Sequence, residues 1–312
     1  MNVKRFLALV LGLVMMASCA SAQEEREITV LCSLFAPYDF ARAIAAGTNT
    51  RVEMLMKPGV ESHAFDPSPA DILRIQGADL FIYIGGESEI WADRMLTNIA
   101  GSVNTLKLLD CLTVVEEEIV AGMQVEAPEE TTEIDEHIWT SPLNAVEMSE
   151  AITRALCEID LRNETIYREN LEAYCEALNA LNEEFRAIVD DAKRHEIIFA
   201  DRFPFRYFVD AYGLTYYAAF PGCSTETEPS ASTLKFLIDT IRKDSIPVVF
   251  HIEQGNVRMA NVIAQETGAK VMQLHSCHTI TKEDVEAGKT YLDFMHDNAR
   301  ALSIALNEEG DA

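Results

Sequence analysis

The residues most able to do chemistry in this chain are its histidines, at positions 63, 137, 195, 251, 275, 278 and 296. No HExxH, GxSxG, P-loop or GxGxxG pattern is present, so the common hydrolase, kinase and dinucleotide signatures are missing and no enzyme activity is expected. Three histidines fall where a strand or turn hands over to the next element. His63 lies in Gly59-Val60-Glu61-Ser62-His63-Ala64-Phe65-Asp66-Pro67, His137 in Asp135-Glu136-His137-Ile138-Trp139-Thr140-Ser141-Pro142, and His275 in Leu274-His275-Ser276-Cys277-His278. Asp201 closes a further apolar run, Ile197 to Ala200. In open α/β sheets ligands gather beyond the carboxyl ends of strands, so His63, His137, Asp201 and His275 can converge in one cleft. Three imidazoles and a carboxylate make a complete tetrahedral zinc set, with no position left open to activate water. Imidazole suits zinc, whereas magnesium and calcium prefer oxygen ligands. His278 competes with His275 for the fourth place. Glu61 is a substitute or supporting ligand, and Glu253 a carboxylate able to orient a ligand histidine. His195, His251 and His296 are treated as background.

The elements that must position these groups read as βα units. Strand-like runs at Ile28 to Leu31, Val52 to Met56, Leu80 to Ile84 and Val103 to Leu109 precede a second set at Ile197 to Ala200, Leu214 to Phe220, Ile246 to Ile252 and Lys270 to Leu274. Alternation of such runs with amphipathic stretches predicts an α/β protein of two lobes, each a four-stranded parallel sheet with flanking helices. Between them, Leu171, Tyr174, Leu178, Leu181, Phe185 and Ile188 recur at spacings of 3, 4, 3, 4 and 3 without Gly or Pro, which predicts one long, stiff helix over 163–191 joining the lobes. The expected division is a signal peptide over 1–18, an N-terminal metal-binding lobe over 24–160, the linking helix, and a C-terminal metal-binding lobe over 193–306. Glu116, Glu117, Glu118, Glu126, Glu129, Glu130, Glu133, Asp135 and Glu136 crowd the segment 115–136, which Gly122 and Pro128 interrupt; it reads as a mobile acidic loop.

With 51 acidic and 25 basic residues the chain carries a formal charge of −26. That balance repels phosphate backbones, so no nucleic-acid partner is expected, and it favours cations. Lys4 and Arg5 precede an uncharged run from Phe6 to Ala17, too short for a membrane span of roughly 20 residues but suited to a signal peptide. Met16-Ala17-Ser18-Cys19 resembles a lipobox that would lipidate Cys19, and Ala20-Ser21-Ala22 offers an alternative cut. The chain is expected outside the cytoplasm, periplasmic or lipid-anchored to the outer face of the cell membrane. Of the six remaining cysteines, 32 with 111 and 223 with 277 could pair within their own halves, or several could be small buried thiols.

Several segments together resemble the zinc/manganese-binding components of ABC transporters, periplasmic or lipoprotein receptors whose two lobes are bridged by a single long helix. Glu61 to Asp71 is similar to the family's G-x-x-P-H-x-y-e-P-x-P-x-D segment, Asp79-Leu80-Phe81-Ile82-Tyr83-Ile84-Gly85 to its A-D-L strand, and Asp135 to Asn144 to D-P-H-x-W-l-s-P. Tyr167-Arg168-Glu169-Asn170 sits as Y-x-x-N does at the start of the linking helix. The resemblance covers nearly the whole mature chain and implies capture of an ion, Zn(2+) in the first place and Mn(2+) in the second, for a membrane permease of a metal ABC transporter. It implies His63 and His137 as ligands. Departures mark the other two: the family's H-D-A-y-g-Y-f is here Ala200-Asp201-Arg202-Phe203-Pro204-Phe205-Arg206-Tyr207-Phe208, with Asp201 as the proxy, and the last carboxylate corresponds to His275. A manganese or iron receptor, a metal-dependent adhesin and a metalloenzyme are the alternatives.

Overall fold

A computed structural model of the protein describes residues 26–308 apart from Glu61, His63, Ala64, Ala100, Ser102, 124–132, 225–227 and Asn256. Cys19, the signal segment and two expected metal-site residues, Glu61 and His63, therefore lie outside the described residues. Strands β1 (Ile28–Cys32), β2 (Thr50–Met54), β3 (Leu80–Tyr83) and β4 (Asn104–Lys107) form a parallel sheet in the order β2-β1-β3-β4. Strands β5 (Glu196–Phe203), β6 (Thr215–Pro221), β7 (Val248–His251) and β8 (Lys270–Gln273) repeat that order as β6-β5-β7-β8, again all parallel. The central strands β1 and β3 are buried almost throughout, which is why they read as unbroken apolar runs instead of alternating ones.

Helices α1 (Phe35–Ile44), α2 (Pro69–Gly77) and α3 (Ile90–Asn98) serve the first sheet, and α4 (Pro142–Ile159) leads into α5 (Glu164–Asp190). In the second half come α6 (Arg206–Tyr212), α7 (Ala231–Asp244), α8 (Val257–Thr267), α9 (Lys282–Glu286) and α10 (Tyr291–Asn307). Local chemistry sets several starts. Ser68 and Asp71 form a reciprocal capping box at α2, Thr290 and Asp293 do so at α10, and Pro142 opens α4 where its missing N–H costs nothing.

The two halves share one apolar core, and α5 runs through it: Tyr167, Tyr174, Leu178, Leu181, Phe185 and Val189 are all buried there. Helix α10 supplies a second tie that periodicity did not announce. Phe294 meets Phe35 of α1 edge-on at 5.8 Å, Tyr291 meets Phe40 at 4.9 Å, and the Tyr291 N–H donates to the buried Asp39 at 2.8 Å.

Two expectations change here. The six described cysteines are all free thiols, so neither the 32–111 nor the 223–277 pairing is formed. The acidic segment, expected to be mobile, is pinned at both described flanks. Glu116 bridges Ile134 antiparallel, the Glu117 N–H donates to the Glu133 carbonyl at 2.8 Å, and the Asp135 N–H to the Val115 carbonyl at 3.0 Å. The cause is polar anchors on α6: the Tyr207 hydroxyl accepts from the Val115 N–H and donates to the Asp135 carbonyl, while Arg206 ion-pairs with Glu118.

Candidate metal centre

His137 stands between that pinned flank and a 3-10 turn, Ile138–Thr140, that feeds α4. It is fully buried, and its only neighbours along the chain on the N-terminal side are two buried acids, Asp135 and Glu136. Asp135 Oδ1 accepts the His137 backbone N–H at 2.8 Å and lies 3.0 Å from Nδ1. A proton held on Nδ1 by this carboxylate leaves Nε2 as the nitrogen to meet an ion, the arrangement by which carboxylates commonly set ligand histidines. Burial opposes the imidazolium, but Asp135, Glu136 and Glu117 outweigh it and raise the His137 pKa above the usual histidine value.

The Glu136 carboxylate accepts from the Ser88 N–H at 3.1 Å, in a turn where Gly86 has φ +84 and leaves no room for a Cβ beside the carboxylate. Burial raises the Glu136 pKa, against the opposing pull of His137. On the second lobe, Cys223 lies just past β6, its N–H donating to Glu117 Oε1 at 2.7 Å. A Cβ on the preceding Gly222 would sit 3.1 Å from His137 Cε1 and 3.2 Å from Glu117 Oε1, so glycine is what lets this turn close over the imidazole. One carboxylate oxygen of Glu136, one ring nitrogen of His137 and the Cys223 sulfur lie within 4.8 Å of one another, a grouping that could hold a metal ion.

His278 is beside them. Its ring centroid is 5.3 Å from that of His137 and 5.1 Å from Trp139, both edge-on, and its Nε2 hydrogen-bonds the Ser62 hydroxyl in the segment that carries His63. Glu253 fixes this loop and also approaches a ring: its carboxylate accepts from the Ser276 N–H and hydroxyl, each at 2.7 Å, and from the His278 N–H at 3.2 Å, and its Oε2 lies 3.8 Å from His275 Nδ1. Trp139 helps from the other side by donating its Nε1–H to the Ser276 carbonyl at 2.7 Å.

The other two expected ligands lie outside that grouping. The His275 ring stacks on Phe294 at 3.8 Å, its Nδ1 accepts the Cys277 N–H at 3.0 Å, and its backbone is bracketed by Asn298. Asp201 is buried against Gly255, where no Cβ would fit, and accepts the Arg202 N–H at 2.8 Å. Neighbouring residues on a strand point to opposite faces, and β5 also shifts register between Phe199 and Arg202. It is Arg202 that lines the small cleft between the lobes, with Ser62, Glu253, Ser276 and His278. Reasoning from sequence placed none of Glu136, Glu117 and Cys223 at the metal site. The signal for Cys223 was present, since it follows the carboxyl end of a sheet strand, β6.

Over its length the chain is 28% identical to the zinc-binding lipoprotein AdcA of Streptococcus pneumoniae, of which it spans 62%. With the high-affinity zinc uptake system protein ZnuA of Bacillus subtilis it shares 29% identity over 90% of this chain and 88% of that one. The crystal structure of the Zn(II)-bound ZnuA-like domain of S. pneumoniae AdcA superposes with a TM-score of 0.76 at 26% identity, covering 90% of this chain and all of the other. Residues 30–305 match the family described as zinc-uptake complex component A, periplasmic (ZnuA), and the chain belongs to that family.

Proposed function

We propose that this protein is an extracytoplasmic receptor that captures Zn(2+) and delivers it to the membrane permease of an ABC importer. The observation that carries the reading is the buried His137, oriented by Asp135 and facing the His278 ring across the junction of the lobes. The AdcA and ZnuA relatives, named for zinc binding and zinc uptake, agree with it. Neutral imidazoles favour zinc over manganese, whose preferred shell carries more oxygen. His63 joins them as a ligand on the strength of its segment. His278 takes the place first given to His275, whose ring and Nδ1 are engaged in packing and in the turn at Cys277. Asp201 remains a supporting group of β5. Export, and attachment through a lipid at Cys19, belong to the same reading.

The work of such a site is capture and release, not turnover. Zinc content and competition titrations on the chain from Gln23 onward test it. About one zinc per chain is expected, with affinity falling by more than about tenfold in His63→Ala, His137→Ala and His278→Ala. His275→Ala and Asp201→Ala should bind nearly as wild type. Absence of bound transition metal in wild type would overturn the receptor reading, and a tighter hold on Mn(2+) than on Zn(2+) would replace the cargo.

A further inference from the structure

We propose that Cys223 is a metal ligand of this protein, completing from the second lobe a mixed nitrogen, oxygen and sulfur set with His137 and Glu136. The inference rests on the receptor reading above and revises its ligand set: with His137, Cys223 and Glu136 bound, a tetrahedral ion has one place left for His63 or His278, and the other supports it from outside. Three observations carry it. The three donor atoms already lie within 4.8 Å of one another. A tetrahedral ion with bonds of about 2.0 to 2.3 Å holds its donors roughly 3.3 to 3.8 Å apart, so small side-chain adjustments close the set. The sulfur is a free thiol, and its turn is brought to the imidazole by Gly222 and fixed there by the Glu117 carboxylate.

The second observation is charge. Asp135 and Glu136 are buried beside the imidazole of His137, Asp135 Oδ1 lying 3.0 Å from its Nδ1, and the Glu117 carboxylate sits at the Cys223 N–H. A buried concentration of acids is costly without a compensating cation, and an ion bound between Glu136, His137 and Cys223 supplies it. The third is what stands nearby on the second lobe. Arg202, an obligate cation, lines the cleft beside His278, and Asp201 is turned to Gly255. Among the described residues, the end of β6 contributes Cys223 to the group around His137 and β5 contributes none to it.

On binding, Zn(2+) displaces the thiol proton to solvent and takes the thiolate, with no change of oxidation state. Thiolate is a soft donor, so it biases the site toward zinc and cadmium and against manganese. The test is Co(2+) loading of the exported chain under reducing conditions, read by absorption. Wild type should show an intense thiolate-to-cobalt charge-transfer band in the near ultraviolet together with the weaker visible bands of the ion. Cys223→Ser should lose the charge-transfer band, keep the visible ones, and lose at least about tenfold in preference for zinc over manganese. Glu136→Gln should keep the sulfur band and change the visible ones. Visible bands in wild type with no sulfur band, or a sulfur band that survives in Cys223→Ser, overturn the proposal and leave the receptor reading intact. Wild type that takes up neither cobalt nor zinc overturns the receptor reading itself.

Discussion

At the scale of single residues, the Asp135–His137 pair is what should set the pH response of the proposed zinc site. The acids around His137 raise its pKa above the ordinary histidine value even though burial works the other way. In the ion-free protein the ring therefore keeps its proton to higher pH than an unperturbed histidine, and protons compete with zinc from that higher pH downward. Affinity should be full well above the raised pKa and should fall as pH drops through it. Asp135→Asn removes the first of the acids that raise it. The expected outcome is a loss of about 10 to 100-fold in affinity at alkaline pH, with the remaining pH dependence displaced to lower pH. Zinc competition titrations across pH 5 to 9 check both; an unchanged midpoint in Asp135→Asn would sink the assignment. His137 was legible because its motif is specific and its acidic neighbours are adjacent in sequence. Arg202 and Asp201 were harder, since a one-residue shift along β5 exchanges the residue that faces the cleft with the one that faces Gly255, and the irregularity between Phe199 and Arg202 has no signature in composition.

At the scale of elements, long-range periodicity was the readable quantity and tertiary anchoring was not. The apolar spacing from Leu171 to Ile188 pointed to a helix, and α5 runs from Glu164 to Asp190 with Leu178, Leu181 and Phe185 fully buried. The acidic flank at Val115 to Glu118 carried no such pattern. Its order comes from Tyr207 and Arg206, about ninety residues away in sequence. Tyr207 makes a sharp test of that anchoring, because its hydroxyl both accepts from Val115 and donates to Asp135. Tyr207→Phe keeps the ring and deletes both bonds. It should destabilise the fold by about 1 to 3 kcal/mol and should also weaken zinc binding, since the strand that carries Asp135 toward His137 loses its anchor. Chemical denaturation and zinc titration of the same variant separate the two effects. Lost stability with unaltered affinity would mean that the flank does not help to position His137.

For the whole molecule, the decisive question is how an ion would enter the proposed site between two lobes that are tied so firmly together. α5 contains neither Gly nor Pro, and its buried stripe belongs to the core of both halves. α10 adds the Asp39–Tyr291 hydrogen bond and the Phe35–Phe294 and Phe40–Tyr291 contacts, while the Tyr291 hydroxyl donates to the Trp139 carbonyl at 2.8 Å. A wide hinge opening would break these together and strand buried polar groups, each at a cost of about 1 to 3 kcal/mol. The parts that can move more cheaply are the turn after β6 and the loop bearing His278, anchored by the carboxylates of Glu117 and Glu253 respectively. Zinc loading should therefore leave the radius of gyration in solution unchanged within error. Hydrogen exchange should slow at 57–60, 115–123, 133–137, 222–224 and 275–280 and stay constant in α5 and α10. A measurable contraction on adding zinc, with exchange altered along α5, would show that the lobes close as rigid bodies and that the two helical ties yield.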